Sequence, residues 1–135
     1  MRSSTGIVVL SFALGACASN YEVSPEVRKA EWEARNIYPK DYRPEIVAYL
    51  RTYLNDPSNV KDAAISEPVL KPMGLGNRYV SCVRYVAKQD SGMYAPSKEH
   101  LVIFVDGKLD AFQDTKEQCA NASYGPFPEL EKLKR

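Results

Sequence analysis

A strongly apolar run followed by a sharp turn constrains the fold of this chain more than any other segment. Residues 100–105, HLVIFV, form the most hydrophobic stretch after position 16, and Asp106-Gly107 follows directly. An Asp-Gly pair between two strands favours a two-residue type I′ turn, because the twist of that turn matches the twist of the strands. The sequence therefore predicts an antiparallel hairpin, in which residues 108–112 return beside a central strand.

Two other segments are typical of strands, and a third is typical of a loop. Residues 78–87 are rich in β-branched and aromatic side chains, which alternate onto two faces that both carry apolar groups. One face holds Val80, Cys82 and Val86, and the other holds Tyr79, Val83 and Tyr85. Residues 61–66 form a shorter strand candidate. The prolines and glycines of residues 68–76 predict a loop between the two strands.

One amphipathic helix is predicted before the strands. Within residues 42–54, apolar side chains fall at positions 46, 47, 50, 53 and 54, which is the spacing of one helix face. Pro44 is compatible with the first turn of a helix. Asn55-Asp56-Pro57 ends the helix, because the residue before a proline is pushed out of the helical region. We expect this face to pack on the sheet through Ile46, Leu50, Tyr53 and Leu54.

An earlier segment has a helix start but little apolar surface. Ser24-Pro25-Glu26 combines an N-cap serine with a proline at the first helical position, so a short helix to about residue 35 is predicted. Its side chains are mostly charged, and Trp32 is its one large apolar group. A solvated spacer is favoured over a dedicated binding helix, since runs of charge usually form exposed faces.

Together these elements predict an α+β fold. One main amphipathic helix packs on a four-stranded antiparallel sheet, and a short polar N-terminal helix or tether precedes them. Residues 40–135 are expected to form this single α+β domain, and residues 17–39 are expected to form the tether.

The first 17 residues form a separate unit. About nine apolar residues, 6–14, follow Arg2, whereas a helix that spans a bilayer needs about 20. The run ends in Leu14-Gly15-Ala16-Cys17, which resembles the lipobox of bacterial lipoproteins. Ala18-Ser19 is similar to the pattern found in lipoproteins that reach the outer membrane. The chain therefore resembles the small outer-membrane lipoproteins of bacteria.

This resemblance implies a fate for the N-terminus. Residues 1–16 would be removed as a signal peptide, and the thiol of Cys17 would carry a diacylglycerol with acyl chains such as palmitate. Two or three acyl chains on one cysteine give stable membrane attachment without a basic patch. The resemblance thus predicts a protein of the cell envelope, anchored by lipid in the outer membrane and facing the periplasm.

The charge balance excludes partners that bind mainly by electrostatic attraction. The chain has 18 Lys and Arg against 17 Asp and Glu, and removal of residues 1–16 takes away only Arg2. A mature form without net charge attracts neither nucleic acid nor an anionic membrane surface strongly. We therefore expect no nucleic-acid partner, and membrane contact through the lipid.

Cys82 and Cys119 remain as a pair once Cys17 is assigned to the lipid. Exported compartments are oxidising, which favours a disulfide, and a bridge that closes a loop of about 38 residues contributes on the order of 4 kcal/mol. A free thiol pair and a shared metal site are the alternatives. Zinc needs four ligands and His100 is the only histidine, so we expect the disulfide, no metal and no cofactor.

The sequence carries no catalytic motif. His100 is the only histidine that could act as a base, and no nucleophile-elbow sequence accompanies it. Asp106, Asp110 and Asp114 fall at even spacing, which predicts one shared face of the hairpin. A solvated surface is favoured there over a pair of catalytic carboxylates. The chain is therefore not expected to be an enzyme, and no catalytic residue is assigned.

One loop is a candidate for partner binding. Residues 89–96 form a long connection that presents Met93 and Tyr94 near its tip. We expect a non-enzymatic protein-binding or envelope-assembly module whose partner is another envelope protein. The alternative is a periplasmic inhibitor of a hydrolase such as lysozyme, in which this loop would plug the foreign active site.

Overall fold

The computed structural model describes residues 21–115 and 117–134. The predicted signal peptide and Cys17 lie outside the described residues. In chain order the elements are α1 (Pro25–Ala34), α2 (Tyr42–Tyr53), β1 (Asp56–Ser66), β2 (Val69–Met73), β3 (Gly76–Lys88), β4 (Lys98–Val105), β5 (Lys108–Asp114), β6 (Tyr124–Pro126) and α3 (Pro128–Glu131).

A six-stranded antiparallel sheet dominates the fold. The strand order is β5-β4-β3-β1-β6, and β2 pairs with β3 next to β1. About 42% of the described residues are in strands and about 23% are in helices, so the expectation of one main helix on a four-stranded sheet is wrong. β2 was missed because Pro72 and the glycines at 74 and 76 are loop signals. β6 was missed because a three-residue strand shows no periodicity.

β3 is the longest strand and organises the sheet. β4 pairs along one side of it, while β1 pairs with its second half and β2 with its first half on the other side. The prediction that both faces of β3 carry apolar groups is confirmed. Val83 and Tyr85 lie on the front face, which α2 and α3 cover, and Val80 and Cys82 lie on the back face.

The main core lies on the front face. Ile46 and Leu50 of α2 are completely buried, as the helix pattern predicts, whereas Tyr53 is half exposed. They belong to one cluster with side chains from the sheet and from the C-terminal segment, including Val83, Tyr85, Val102, Phe104, Phe127 and Leu130. Each fully buried side chain of this size contributes about 1.5–3 kcal/mol through burial of apolar surface.

The back face is covered by the segment between β5 and β6. Residues 117–123 of this segment are named the disulfide arm here. Cys119 of the arm is bonded to Cys82 of β3, which confirms the predicted pair. Val80, Cys82, Leu101 and Cys119 form a small buried cluster under the arm. This face therefore has a thinner apolar layer than the front face, and a covalent bond holds the layer in place.

The β4–β5 hairpin turns as predicted. Asp106 and Gly107 have φ angles of 53° and 73°, the left-handed values that a type I′ turn requires. The Asp106 carboxylate pairs with the guanidinium of Arg35 at 2.8 Å, and the Asp106 N–H donates to the Arg35 carbonyl. The segment after α1 is thereby fixed to the tip of the hairpin.

The first helix also forms where the sequence predicts it. The Ser24 hydroxyl accepts a hydrogen bond from the Val27 N–H, and no residue of α1 is fully buried. Trp32 attaches α1 to the β2–β3 hairpin, because its Nε1 donates to the Asn77 carbonyl at 3.0 Å and its ring lies 3.8 Å from the Arg78 guanidinium carbon. α1 is largely solvated and is docked through Trp32 and the neighbouring Glu33, whose carboxylate accepts a hydrogen bond from the Asn77 N–H at 3.3 Å.

Candidate binding groove

β1 and β2 pair one after the other with the same side of β3, and Glu67-Pro68 connects them. From Ile65 to Val69 the chain advances four residues, while β3 advances three, from Val83 to Val80, so the edge carries a bulge. The N–H of Cys82 donates to the side-chain oxygen of Ser66 at 2.7 Å. A side chain therefore bonds β3 where the regular ladder is interrupted.

The two parts of this edge are covered differently. β6 pairs with β1, with Tyr124 opposite Ser66, and the chain before Tyr124 leaves the sheet edge to form the disulfide arm. Among residues 21–115 and 117–134, no strand pairs with the outer side of β2. Val69 and Leu70 at the start of β2 are 46% and 49% exposed. The position of one further strand beside β2, which we name the open lane, is therefore unfilled. It lies in line with β6, which occupies the corresponding position beside β1.

A cavity of about 590 Å³ lies at the junction of the closed and open parts. Tyr42 and Arg43 at the start of α2 form its front wall, and residues 121–124 form its back wall. Ser66 and Val69 from the strand edge line its floor, together with Val80 and Cys82 of β3. We name this feature the edge groove. Its volume falls within the range of about 300–1,000 Å³ that is usual for ligand sites.

The front wall of the edge groove is held by an ion pair. The guanidinium of Arg43 donates to both carboxylate oxygens of Glu129 at 3.0 and 2.9 Å, and to the Pro126 carbonyl at 3.1 Å. The hydrogen bond to Glu129 raises the pKa of Arg43, and Arg43 lowers the pKa of Glu129. Since the pair joins α2 to α3 beside β6, this wall is already fixed without a partner.

Besides the disulfide, three noncovalent contacts hold the back wall. The Lys71 ammonium donates to the Gln118 carbonyl at 2.6 Å, which ties β2 to the disulfide arm. The hydroxyl of Tyr124 donates to Glu99 at 2.5 Å, and Arg84 lies over the ring of Tyr124 at 4.4 Å. Burial is the main cause that raises the pKa of Tyr124. The edge groove is therefore preformed on both sides.

The predicted binding residues Met93 and Tyr94 lie away from the edge groove. The Tyr94 hydroxyl donates to the Asn59 carbonyl at 2.9 Å, and the Lys61 ammonium lies 4.0 Å from the centre of its ring. Tyr94 therefore holds its loop against the start of β1. Met93 is 71% exposed. Of the two residues, Met93 presents the free apolar surface.

His100, near the start of β4, is packed into the front core. It is 2% exposed, and its Nε2 lies 3.0 Å from the Tyr85 hydroxyl. Its Nδ1 lies 3.1 Å from the Asp114 carboxylate, without the alignment of a formed hydrogen bond. Burial is the main cause that lowers the pKa of His100. A neutral imidazole that accepts the Tyr85 O–H fits these contacts and supports the core.

The prediction that three aspartates share one face is wrong. Asp106 sits in the turn and binds Arg35, and Asp110 lines a cavity of about 280 Å³ on the back face with Trp32. Asp114 lies beside His100 on the front face. A register shift between Ile103 and Phe104 separates Asp110 from Asp114. The hairpin therefore does not bring the carboxylates together.

Sequence reasoning missed the residues that form the edge groove. The signal available was Ser66-Glu67-Pro68, a break within an apolar region, followed by Val69-Leu70. It was read as a loop because Pro72 and the glycines follow. No cluster of three or more potential metal ligands occurs in the described part of the chain.

Comparisons with protein-family models, with curated proteins and with solved structures find no match for this chain. None of the helices within residues 21–115 and 117–134 has the length and apolar character needed to cross a bilayer. The function proposed below therefore depends on the residues of this chain alone.

Proposed function

We propose that this chain is a lipid-anchored protein of the bacterial cell envelope, held in the outer membrane by a diacylglyceryl group on Cys17 and facing the periplasm. Its folded domain binds another envelope protein and performs no catalysis. The edge groove is the observation that carries the binding function, because it combines an open sheet edge with a preformed cavity.

The proposed location agrees with the cysteine chemistry of the domain. Disulfides persist in oxidising compartments such as the periplasm and are rare in the bacterial cytosol. The bond between Cys82 and Cys119 holds the back wall of the edge groove. The same compartment that would receive a lipidated Cys17 would thus keep the proposed binding site assembled.

The two cysteines and the histidine of the described domain are held in structural contacts, which supports a binding role. The side chains of Cys82 and Cys119 are joined in the disulfide, and His100 is packed against Tyr85. By contrast, Val69 lines the edge groove and is 46% exposed, and Leu70 beside it on β2 is 49% exposed. Exposed apolar groups beside a polar rim are typical of protein-interaction sites.

The exposed side chain of Met93 favours a second candidate function. Its loop is pinned by Tyr94 and by the hydrogen bond from the Gln89 N–H to the Met93 carbonyl at 2.8 Å. A rigid loop with one projecting apolar side chain is suited to enter a foreign cleft. A periplasmic inhibitor of a hydrolase such as lysozyme is therefore the alternative.

Site-specific photocrosslinking in bacterial cells separates the two functions. A photoreactive residue is placed at position 70, between the groove-lining residues 69 and 71 of β2, at position 93 in the loop, and at the exposed control position 113 on β5. The binding module predicts one discrete envelope adduct from position 70 and none from position 113. An adduct from position 93 alone, together with inhibition of lysozyme by the purified protein, would support the inhibitor instead.

The lipid anchor is tested on its own. The wild-type protein is expected in the membrane fraction, with a mass increased by the diacylglyceryl and acyl groups, and Cys17→Ser is expected to lack both properties. If Cys17→Ser remained bound to the membrane with an unchanged mass, the lipidation proposal would be wrong.

A further inference from the structure

The hydrogen bonds of the Asn77 main chain show which residues of β2 direct their N–H and C=O groups away from β3. The Asn77 carbonyl accepts hydrogen bonds from Trp32 at 3.0 Å and from the Asn36 amide at 2.9 Å, and its N–H donates to Glu33 at 3.3 Å. Asn77 lies opposite Pro72, which has no N–H. The Pro72–Asn77 pair is therefore a pair without hydrogen bonds between the two strands.

The same pattern applies to Leu70, two positions before Pro72 on β2. In an antiparallel pair, residues that exchange hydrogen bonds alternate with residues that do not. Leu70 lies two positions before Pro72 and opposite Tyr79, so this pair is also without hydrogen bonds between the strands. The N–H and C=O of Leu70 consequently point away from β3, into the lane that no described strand fills.

We propose that the edge groove binds an extended peptide segment of the partner as an additional strand, hydrogen-bonded to Leu70 and antiparallel to β2. This inference rests on the proposed protein-binding function and names the form in which the partner is recognised. An outward N–H and C=O on one residue match one partner residue, which exchanges both hydrogen bonds in an antiparallel pair.

The surroundings of Leu70 select a single strand. Arg43 and residues 121–123 of the disulfide arm line the cavity from its two sides, and Val69 and Lys71, the chain neighbours of Leu70, line it at the strand edge. We therefore expect one extended chain to fit between the two walls. β6 already occupies the same lane next to β1, with Tyr124 at its start. Pro72 offers no N–H farther along, which confines the pairing to the beginning of β2.

Because side chains alternate between the two faces of a strand, the directions of the peptide's side chains can be predicted. The residue opposite Leu70 shares its front face with Leu70, and its two neighbours point to the back face with Val69. There the cavity is lined by Val80 and Ala122. The expected ligand is a short apolar segment with no proline opposite Leu70. It would run in the same direction as β6, so its C-terminal end would lie nearest Tyr124.

The test uses the mature chain with Cys17→Ser and a synthetic peptide of alternating Thr and Val residues with blocked ends. Binding is followed by NMR titration of the backbone amides. A matched peptide carries one N-methyl group on the central amide. We expect the first peptide to shift the signals of residues 69–71 and 124–125. We expect the methylated peptide to bind about tenfold more weakly, because it lacks one main-chain donor.

Two protein variants form the second arm. Leu70→Pro removes the outward N–H without removing a bond to β3, while Leu70→Ala keeps that N–H and removes the side chain. Weakened binding in Leu70→Pro relative to Leu70→Ala supports strand addition, and equal binding in both variants overturns it. If Leu70→Pro fails to fold, the comparison of the two peptides still decides the question.

Orientation and competing occupants are tested with the same material. A nitroxide at the C-terminus of the peptide is expected to broaden the amide signal of Tyr124. A nitroxide at the N-terminus is expected to broaden the amide signal of Met73. The reverse result overturns the antiparallel arrangement. Dimerisation through β2, or protection of Leu70 by residues 18–20, with no peptide binding, also overturns the proposal. A crosslinked partner that binds elsewhere would preserve the proposed function but not this mode of recognition.

Discussion

The sheet edge is closed along β1 and open along β2, although both strands follow each other on the same side of β3. Along β1, β6 supplies a paired strand, and Phe127 just after it is completely buried in the front core. Along β2, Val69 and Leu70 remain about half exposed, and the walls of the edge groove stand on either side. One edge thus combines a part that is paired and packed with a part that no described strand covers, where we propose that a partner binds.

This difference has a local cause. Glu67-Pro68 interrupts the edge, and Cys119 draws the chain before β6 onto the back face, where it is bonded to Cys82. β6 therefore begins at Tyr124 and is too short to reach β2. The proposed binding surface and the part of the edge that stabilises the domain therefore involve different residues, so we expect substitutions to affect one without the other.

The largest expected effect comes from the closed part. Phe127→Ala removes a completely buried ring and leaves a cavity next to Leu130, so the free energy of unfolding should fall by about 3–5 kcal/mol. Chemical denaturation measures this change. A loss below about 1 kcal/mol would mean that the segment after β6 does not close this part of the edge.

Removal of the disulfide should come next. Cys82→Ala with Cys119→Ala is expected to cost about 2–4 kcal/mol and to increase amide exchange first in residues 117–123. The front core, which does not include the arm, should retain its protected amides. Equal loss of protection on both faces would contradict the separation between the front core and the arm.

Acid should weaken the end of the sheet that holds His100. Because burial lowers the pKa of His100 below its usual 6.5, the unfolded chain binds the proton first as the pH falls. Stability is thus retained above about pH 6.5 and lost below it, with a slope of at most about 1.4 kcal/mol per pH unit.

His100→Gln provides the control for this pH dependence, because glutamine does not titrate. Its stability should change less between pH 7 and pH 5 than that of the wild type, when both are measured by denaturant unfolding. A wild-type profile as flat as that of the variant would show that His100 takes up its proton as easily in the folded domain as in the unfolded chain.

The ion pair at the front wall should have a modest effect. Glu129→Gln keeps the shape and removes the charge, and we expect a loss of about 0.5–1 kcal/mol at neutral pH, since both partners are partly exposed. Because Arg43 lowers the pKa of Glu129, the wild type should lose this advantage as the pH falls below about 4. An unchanged difference between the two proteins at pH 3 would contradict this assignment.

The open part should show the smallest effect on stability. Leu70→Ala is expected to change the free energy of unfolding by less than about 0.5 kcal/mol, because the side chain is half exposed. Measured beside Phe127→Ala, it compares the two parts of the edge directly. A loss above about 1.5 kcal/mol would show that Leu70 is covered in solution.

Local signals were sufficient for much of the fold. Asp106-Gly107 predicted the hairpin, the spacing of Ile46 and Leu50 predicted α2, and Ser24-Pro25 predicted the start of α1. The Cys82–Cys119 bond followed from cysteine number and the expected compartment. Each of these inferences depends on a short motif or a count, and none requires knowledge of which strands pair.

Long-range pairing decided what the sequence could not predict. Pro72 can lie in a strand because its partner Asn77 does not need the missing N–H. Side chains of Trp32 and Glu33 in α1, and of Asn36 just after it, bond the Asn77 main chain instead. The bulge that separates Asp110 from Asp114 depends on pairing with β4. The hydrogen bond from the Tyr94 hydroxyl to the Asn59 carbonyl of β1 likewise joins residues that are far apart in the sequence.

The rate of amide hydrogen exchange at Leu70 tests the central claim most directly. Lys71 and Val69 belong to pairs that bond β3, whereas the Leu70 N–H points into the open lane. We predict that Leu70 exchanges within about tenfold of an unstructured amide, while Lys71 is protected at least about a hundredfold. Equal protection of Leu70 and Lys71 in the free mature chain would show that the edge of β2 is already paired, and would contradict the account.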